Sequence, residues 1–130
     1  MNNLPVAIKV EKHVKRWGHE LWLVNNDLYC SKLLVFDIVD AKCSMHFHKN
    51  KTESWFVYKG EFEVQYIDTA GASIKIIRLK EGEALHIPSL APHQIISKSV
   101  GATLIETSTR HDDSDSYRVL PGDSQTKSKL

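Results

Sequence analysis

The chain has 130 residues, and its 17 Lys and Arg against 16 Asp and Glu give a formal net charge of +1 with His neutral. This length predicts a single domain, and 42% hydrophobic with 25% charged residues is typical of a globular protein. The balanced charge argues against nucleic-acid binding, which needs a surplus of Lys and Arg to neutralise phosphates. Seven His beside two Cys are the unusual feature.

No stretch of the sequence approaches the roughly 20 apolar residues that cross a bilayer. Residues 1–5 lack the basic and apolar regions of a secretory signal. We therefore expect a cytoplasmic protein that does not bind membranes. Cys30 and Cys43 have neither a metal-binding spacing nor a disulfide framework and are expected as free thiols. A bound divalent metal would then have mainly nitrogen and oxygen ligands.

Short segments rich in β-branched and aromatic residues follow one another along the chain, with turn-forming residues between them. In chain order they are residues 32–39, 41–48, 54–58, 62–67, 73–79, 84–87, 94–97 and 103–107. This pattern is typical of an all-β sandwich or barrel. We predict one all-β domain over residues 1–120, followed by a flexible polar tail over residues 121–130.

Two histidines, His46 and His48, stand two residues apart in the second of these segments. In a strand alternate side chains lie on one face, so both imidazoles would point the same way. In a helix they would lie on nearly opposite sides, so the pair can chelate a metal only from a strand. Glu53 follows after a short reversal that can return its carboxylate toward the pair, and His93 follows a stiff loop with two prolines.

The spacing of these residues resembles the two motifs of the cupin superfamily, at about residues 40–60 and 82–97. The first motif is matched by His46, His48, Glu53 and Gly60, and the second by Gly82, Pro88 and His93. Asp40 and Leu90 stand where the family usually has Gly. Because Gly alone adopts left-handed backbone conformations without strain, we expect altered turns at these two positions.

The resemblance implies a single-domain antiparallel β-barrel of jelly-roll type that binds one divalent transition metal, namely Fe, Mn, Ni, Co or Zn. The metal ligands that it implies are His46, His48, Glu53 and His93. Over about residues 12–118 the chain is also similar to small cupins related to type II mannose-6-phosphate isomerases. Pro92 and Gln94 stand where those enzymes carry basic residues beside the last ligand, which argues against a phosphate group on the substrate.

Four protein ligands on a six-coordinate ion would leave room for two adjacent substrate oxygens. This favours isomerisation of a sugar or sugar phosphate through a metal-stabilised enediolate. His86, Glu106 and Lys32 are the candidates for proton transfer or substrate anchoring, and a solvated position without a role is the alternative for each. A metal-dependent dioxygenase of a small metabolite and a non-catalytic sugar- or metabolite-binding cupin are the alternative functions.

If the two histidines of the pair face the interior, then Cys43, Met45 and Phe47 face outward and need cover. Either the N-terminal segment or a second subunit would supply it, and we expect a homodimer. The remaining histidines, His13 and His19 and His111, are expected at the surface. The acidic run at residues 112–116 lacks the Gly and distant Glu of a calcium loop, so a solvated turn is expected there.

Overall fold

The computed structural model describes residues 3–126, which form two antiparallel β-sheets. The strands are β1 (Glu11–Lys15), β2 (Gly18–Asn25), β3 (Cys30–Phe36), β4 (Met45–Phe47), β5 (Glu53–Lys59), β6 (Glu61–Asp68), β7 (Ser73–Lys80), β8 (Ala84–Ile87), β9 (His93–Ser97), β10 (Ala102–Ser108) and β11 (Tyr117–Leu120). Two 3-10 turns, Asp113–Asp115 and Asp123–Gln125, complete the described elements. None of the helices in the described part of the chain is long and apolar enough to span a membrane.

The two sheets pack face to face around one apolar core. One has six strands in the order β1-β2-β3-β10-β5-β8, and the other has five in the order β11-β4-β9-β6-β7. Alternation explains how β3 contributes to the core, because Cys30, Lys32, Leu34 and Phe36 are buried while the residues between them are half-buried. The predicted all-β, antiparallel jelly-roll barrel is confirmed.

Each predicted strand corresponds to a strand of the structure, but the segment 41–48 is a regular strand only over Met45–Phe47. Three further strands, β1, β2 and β11, were not predicted. Their sequences mix charged and apolar residues, and every residue of β11 is exposed. They form by hydrogen bonding to the edges of the two sheets, which is not visible in a local hydrophobic pattern.

The C-terminal segment covers residues that were expected to need a second subunit. Met45 is only 1% exposed. Cys43 packs against the core and lines a cavity that also contains His46 and His93. The prediction that Cys43 faces outward is wrong, because the strand is irregular before Met45 and Cys43 lies on the cavity side. Met45 alternates with His46 in β4 and is covered without lining that cavity. Phe47 is covered in part by Tyr117, whose ring stacks on it at 5.2 Å between centroids.

Residues 121–126 continue along this side and are held by hydrogen bonds. The backbone N–H of Asp123 donates to the carbonyl of Lys42 at 3.0 Å, and a carboxylate oxygen of Asp123 accepts from the N–H of Lys42 at 3.0 Å. Arg16 donates to the carbonyl of Thr126 at 2.8 Å. The rest of the predicted tail, residues 127–130, lies outside the described residues, as do residues 1 and 2.

The two turns at the unusual motif positions keep a left-handed backbone without glycine. The φ angle is 64° at Asp40 and 68° at Leu90. The Asp40 carboxylate accepts a hydrogen bond from Lys98 at 2.6 Å, while the Leu90 side chain is 59% exposed. The expectation of altered turns at Asp40 and Leu90 is therefore wrong, because both residues adopt the left-handed conformation that Gly would adopt without steric cost.

Candidate metal centre

Three histidines meet between the two sheets because their strands pair side by side. His46 lies in β4 and is directly opposite His93, the first residue of β9, in the strand register. His48 follows the end of β4 and lies on the same face as His46. One nitrogen from each ring lies within 4.8 Å of the other two, so the three side chains could hold a metal ion.

Each of the three rings is oriented by a backbone carbonyl. The Nδ1 atoms of His46, His48 and His93 lie 2.9, 2.9 and 2.8 Å from the carbonyl oxygens of Ser44, Asp115 and Ala91, respectively. A carbonyl can only accept, so Nδ1 carries the proton and Nε2 keeps its lone pair. The ring nitrogen left for a ligand is therefore Nε2 in all three, which is the arrangement that metal-binding histidines require.

Glu53, the first residue of β5, brings a carboxylate to this cluster. Its Oε1 accepts a hydrogen bond from the indole N–H of Trp55 at 2.6 Å. Its Oε2 lies 3.2 Å from Nε2 of His48 and 3.9 Å from Nε2 of His93. Glu53 Oε2 and His93 Nε2 are buried without a hydrogen-bond partner. Two unpaired buried lone-pair atoms facing each other fit a cation, which would satisfy both.

The electrostatics keep the cluster ready to bind a cation at neutral pH. Burial, together with the neighbouring His93 and His48, lowers the pKa of His46 to about 3. Burial also lowers the pKa of His93. Burial by itself raises the pKa of Glu53, but His48, His93 and Lys51 outweigh it and hold that pKa well below its usual value. Neutral imidazoles and an ionised carboxylate are the forms that bind metals.

A buried ion pair lies beside the histidines in the same cavity, which has a volume of about 550 Å³. Lys51 Nζ donates to Glu106 Oε2 at 2.8 Å, and the two residues are only 3% and 6% exposed. Burial followed by the charge of Glu53 raises the pKa of Glu106. Burial alone would lower the pKa of Lys51, but Glu106 and Glu53 raise it. The pair thus places a buried proton donor and acceptor next to the cluster.

The structure brings two of the three predicted catalytic candidates to this cavity. Glu106 and Lys32 are opposite each other in the register of β10 and β3, and both point inward. Lys32 Nζ lies 3.9 Å from Glu20 and 4.2 Å above the ring of Trp22. His86 is not brought to the cavity, because it is exposed in β8 and its Nδ1 lies 2.7 Å from the hydroxyl of Ser54.

Two other residues of the site were missed by the sequence analysis. Lys51 stands in a polar segment, Lys-Asn-Lys-Thr, that gives no sign of burial. His111, expected at the surface, is half-buried and lines the cavity, where its Nδ1 lies 3.1 Å from Lys51 Nζ. The one feature of the sequence that could have indicated a role for Lys51 is its position two residues before Glu53, a proposed metal ligand.

Asp115 lies behind the cluster and holds its main loop. Its carboxylate accepts hydrogen bonds from the backbone N–H groups of Lys49, Asn50 and Lys51 at 2.9 to 3.3 Å. Its carbonyl accepts from His48, as described above. The acidic run at 112–116 is therefore not only a solvated turn, because its buried Asp115 fixes the segment that connects His48 with Glu53.

The solved structures of several larger proteins share this architecture. CapF, the capsular polysaccharide assembling protein of Staphylococcus aureus, is 16% identical with a TM-score of 0.77 over 88% of this chain and 35% of its own. Oxalate decarboxylase of Bacillus subtilis is 18% identical with a TM-score of 0.74 over 85% of this chain and 30% of its own. The chain thus spans about a third of the length of these proteins, and the likeness shows the fold.

No curated protein matches the chain. The similarity to type II mannose-6-phosphate isomerases stays a prediction. The family model described as "Cupin domain" matches residues 38–107, which include both motifs and all four residues of the candidate centre. The chain therefore belongs to the cupin family.

Proposed function

We propose that the chain is a metal-dependent sugar isomerase in which His46, His48, Glu53 and His93 hold one divalent metal ion. The observation that carries this proposal is the buried Lys51–Glu106 pair, which shares a cavity with the histidine cluster. A metal that only stabilises a barrel needs no proton donor and acceptor beside it. Isomerisation of a hydroxy-carbonyl compound needs both, because a proton must move between neighbouring carbons.

The donor set fits a first-row transition metal. Three imidazole nitrogens and one carboxylate oxygen suit Fe, Mn, Ni, Co or Zn, and the affinity order of these ions does not select one of them. When bound, such an ion would polarise a carbonyl oxygen of the substrate. Oε2 of Glu53 and Nε2 of His93 are buried without a hydrogen-bond partner, and a bound ion would supply the missing interaction to both atoms.

Glu106 is the proposed acid–base residue. Its ionised carboxylate would take a proton from the hydroxyl-bearing carbon beside the carbonyl and return it to the former carbonyl carbon. The hydroxyl proton would pass to the former carbonyl oxygen, so that the atoms balance. A raised pKa suits this role, because it makes the carboxylate a stronger base toward a carbon-bound proton. Lys51 would hold the carboxylate in place through its hydrogen bond, and burial keeps water away from the transferred proton.

Lys32 is the proposed anchoring residue in the wall of the cavity. It is buried, and Glu20 and Trp22 fix its ammonium group at the inner face of the six-stranded sheet. An ammonium group held in this way can donate hydrogen bonds to the hydroxyl groups of a sugar. His86 has no role in this proposal because of its place outside the cavity.

The proposal is tested with the purified chain loaded with each of the five metals. We expect interconversion of an aldose and a ketose among hexoses or hexose phosphates. Glu106→Gln should lower kcat by at least about 100-fold while the bound metal is retained. The matched control is Glu61→Gln, an exposed residue outside the cavity, which should leave kcat unchanged.

Other outcomes would favour one of the two alternative functions, a metal-dependent dioxygenase or a non-catalytic binding protein. Oxygen uptake with ferrous iron and a small metabolite, without isomerisation, would support a dioxygenase. Sugar binding without turnover under every condition would support a binding protein. A full rate in Glu106→Gln would contradict the assigned role of that residue.

We also propose that the chain forms a homodimer through the outer face of the six-stranded sheet. Leu21, Leu33, Ile105 and Phe56 stand side by side on that face in the registers of β2, β3, β10 and β5. Such a continuous apolar stripe is typical of a subunit contact. A small-molecule partner for the cavity and a cytoplasmic location stay predictions.

A further inference from the structure

We propose that Lys15 and Arg118 form an anion-binding subsite at the mouth of the metal cavity. The subsite would take a phosphate or carboxylate group carried by the sugar at the end remote from the metal. This inference rests on the proposed function only in treating the cavity as the substrate site. It names the class of substrate, which is an anionic sugar rather than a neutral one.

The charged residues that line the cavity would have a positive sum once a metal ion is bound, which favours an anionic ligand. Four cationic side chains line it, namely Lys15, Lys32, Lys51 and Arg118. Four carboxylates line it as well, namely Glu20, Glu53, Glu106 and Asp113. The balance is neutral without a metal, so a bound divalent ion would leave two positive charges. A sugar that carries a phosphate monoester would compensate them.

The two inner cations are already occupied by neighbours. Lys51 donates to Glu106 at 2.8 Å, and Lys32 lies beside Glu20 and over an indole ring. Lys15 and Arg118, by contrast, have no carboxylate within 4.0 Å among residues 3–126. The free positive charge of the cavity therefore lies at these two residues.

The strand register aims Arg118 toward the substrate site. Arg118 in β11 is directly opposite His46 in β4, and directly opposite residues of an antiparallel pair extend from the same face. Lys15 reaches the mouth from the end of β1, on the other sheet. A ligand group in the cavity could thus be contacted by Arg118 from one sheet and by Lys15 from the other.

Three residues with neutral hydrogen-bond donors, Ser116, Ser124 and Gln125, line the same cavity as Lys15 and Arg118. The hydroxyl of Ser124 accepts a hydrogen bond from the backbone N–H of Arg16, so its own proton is available for an acceptor. A guanidinium, an ammonium and several hydroxyl or amide donors are the groups that bind phosphate and carboxylate oxygens.

This arrangement changes the expectation from the sequence. The lack of basic residues beside His93 argued against a phosphate, but cations can reach one cavity from distant parts of a chain. Lys15 and Arg118 lie in β1 and β11, two of the strands that were not predicted. Their place at the cavity therefore became visible only with the sheet topology.

The test is calorimetric titration of the Mn²⁺-loaded protein with three sugars that differ at one carbon: mannose, mannose 6-phosphate and mannuronate. We expect the phosphate or the carboxylate form to bind at least about tenfold more tightly than mannose, the smaller end of what a charge-assisted contact contributes. The stronger of the two anionic sugars identifies the natural group. Lys15→Gln and Arg118→Gln should each weaken its binding about tenfold and leave mannose binding unchanged.

Lys12→Gln and Arg78→Gln are the matched controls, since both side chains are exposed cations in strands of the same sheets but outside the cavity. Equal binding of all three sugars, no detectable binding, or equal losses in the controls and the cavity variants would overturn the subsite. Selective binding of an anionic sugar without isomerisation would uphold the subsite and contradict the isomerase. Turnover of the anionic sugar with full activity and unchanged binding in both cavity variants would uphold the isomerase and contradict the subsite.

Discussion

At the scale of single residues, Asp115 connects the C-terminal segment with the metal centre. It fixes the proton of His48 on Nδ1 and also holds the backbone of the loop at residues 49–51. Both effects act on the metal site through other groups, because Asp115 itself does not face the cavity. Asp115 is therefore a positioning residue whose loss should affect metal binding.

Asp115→Ala removes the carboxylate that holds residues 49–51 but keeps the backbone carbonyl that contacts His48. We predict that it weakens metal binding by roughly 10-fold, which is typical for the loss of a group that positions metal ligands. Asp115→Asn keeps one acceptor oxygen and should recover part of the affinity. The measurement is competition with a chromophoric chelator on protein whose circular dichroism spectrum shows the native fold. Asp37→Ala, at an exposed residue outside the cavity, is the control. An unchanged affinity in Asp115→Ala would refute this role.

The sequence predicted the histidine cluster well because its signal is local. Two histidines in alternation on a strand must share a face, and the motif spacing supplied Glu53 and His93. Lys51 and Asp115 could not be predicted in the same way. Both are charged residues in polar segments, and such residues are usually exposed. Their burial depends on partners more than 50 positions away, Glu106 for Lys51 and the 49–51 loop for Asp115.

At the scale of elements, the loop between β8 and β9 aims His93 into the cavity. The loop contains Leu90, whose backbone N–H donates to the carbonyl of His48 at 2.7 Å and whose φ angle is positive. A left-handed conformation costs a side chain with a Cβ about 1–2 kcal/mol. The loop geometry that positions His93 therefore requires a strained backbone at Leu90, and this strain lowers the stability of the protein.

Replacing Leu90 with Gly should therefore stabilise the protein. The relief of strain exceeds the added flexibility of Gly in the unfolded chain, so we expect a gain of about 0.5–1 kcal/mol. The side chain is exposed, and little burial is lost. Urea unfolding of the metal-free protein measures the change. Leu28→Gly, at a more exposed leucine without a positive φ angle, should give no gain, and a loss of stability in Leu90→Gly would contradict the strain.

The edge strands show where prediction from a local pattern fails. Val14 in β1 and Val119 in β11 are exposed, and the strands around them mix charged and apolar residues in no regular alternation and without a buried face. Central strands such as β3 and β10 were predicted because burial on one face imposes alternation. Strands at a sheet edge are held by backbone hydrogen bonds, which any sequence can make, so their sequences carry little signal.

At the scale of the whole molecule, the proposed homodimer depends on the outer face of the six-stranded sheet. We predict a sedimentation mass of twice that of the chain at micromolar concentration. Phe56 is 41% exposed in the apolar stripe and should contribute most to the binding free energy of the dimer. Phe56→Ser should therefore shift the sedimentation mass to that of one chain. Ile76→Ser, an exposed apolar residue of the other sheet, is the control. A monomeric wild type, or a dimeric Phe56→Ser, would contradict this interface.

The overall charge of the molecule conceals an uneven local distribution. A net charge of +1 suggested no preference for an anionic partner, yet the cavity holds two cations, Lys15 and Arg118, without a carboxylate partner in the described part of the chain. The net charge of a chain determines the electric field far from the protein. The field inside a cleft is determined by the few charged groups that line it. The proposed substrate class therefore rests on the placement of Lys15 and Arg118 in the fold rather than on the composition.

The central claim is that His46, His48 and His93, with Glu53, hold one divalent metal ion, and metal content measured by mass spectrometry tests it most directly. We predict about one first-row metal ion per purified wild-type chain, and loss of that ion in His46→Ala and in His93→Ala. His13→Ala, a half-buried residue outside the cavity, should keep it. Full metal occupancy in either cluster variant, or a wild type that binds no ion even after incubation with all five metals, would contradict the account.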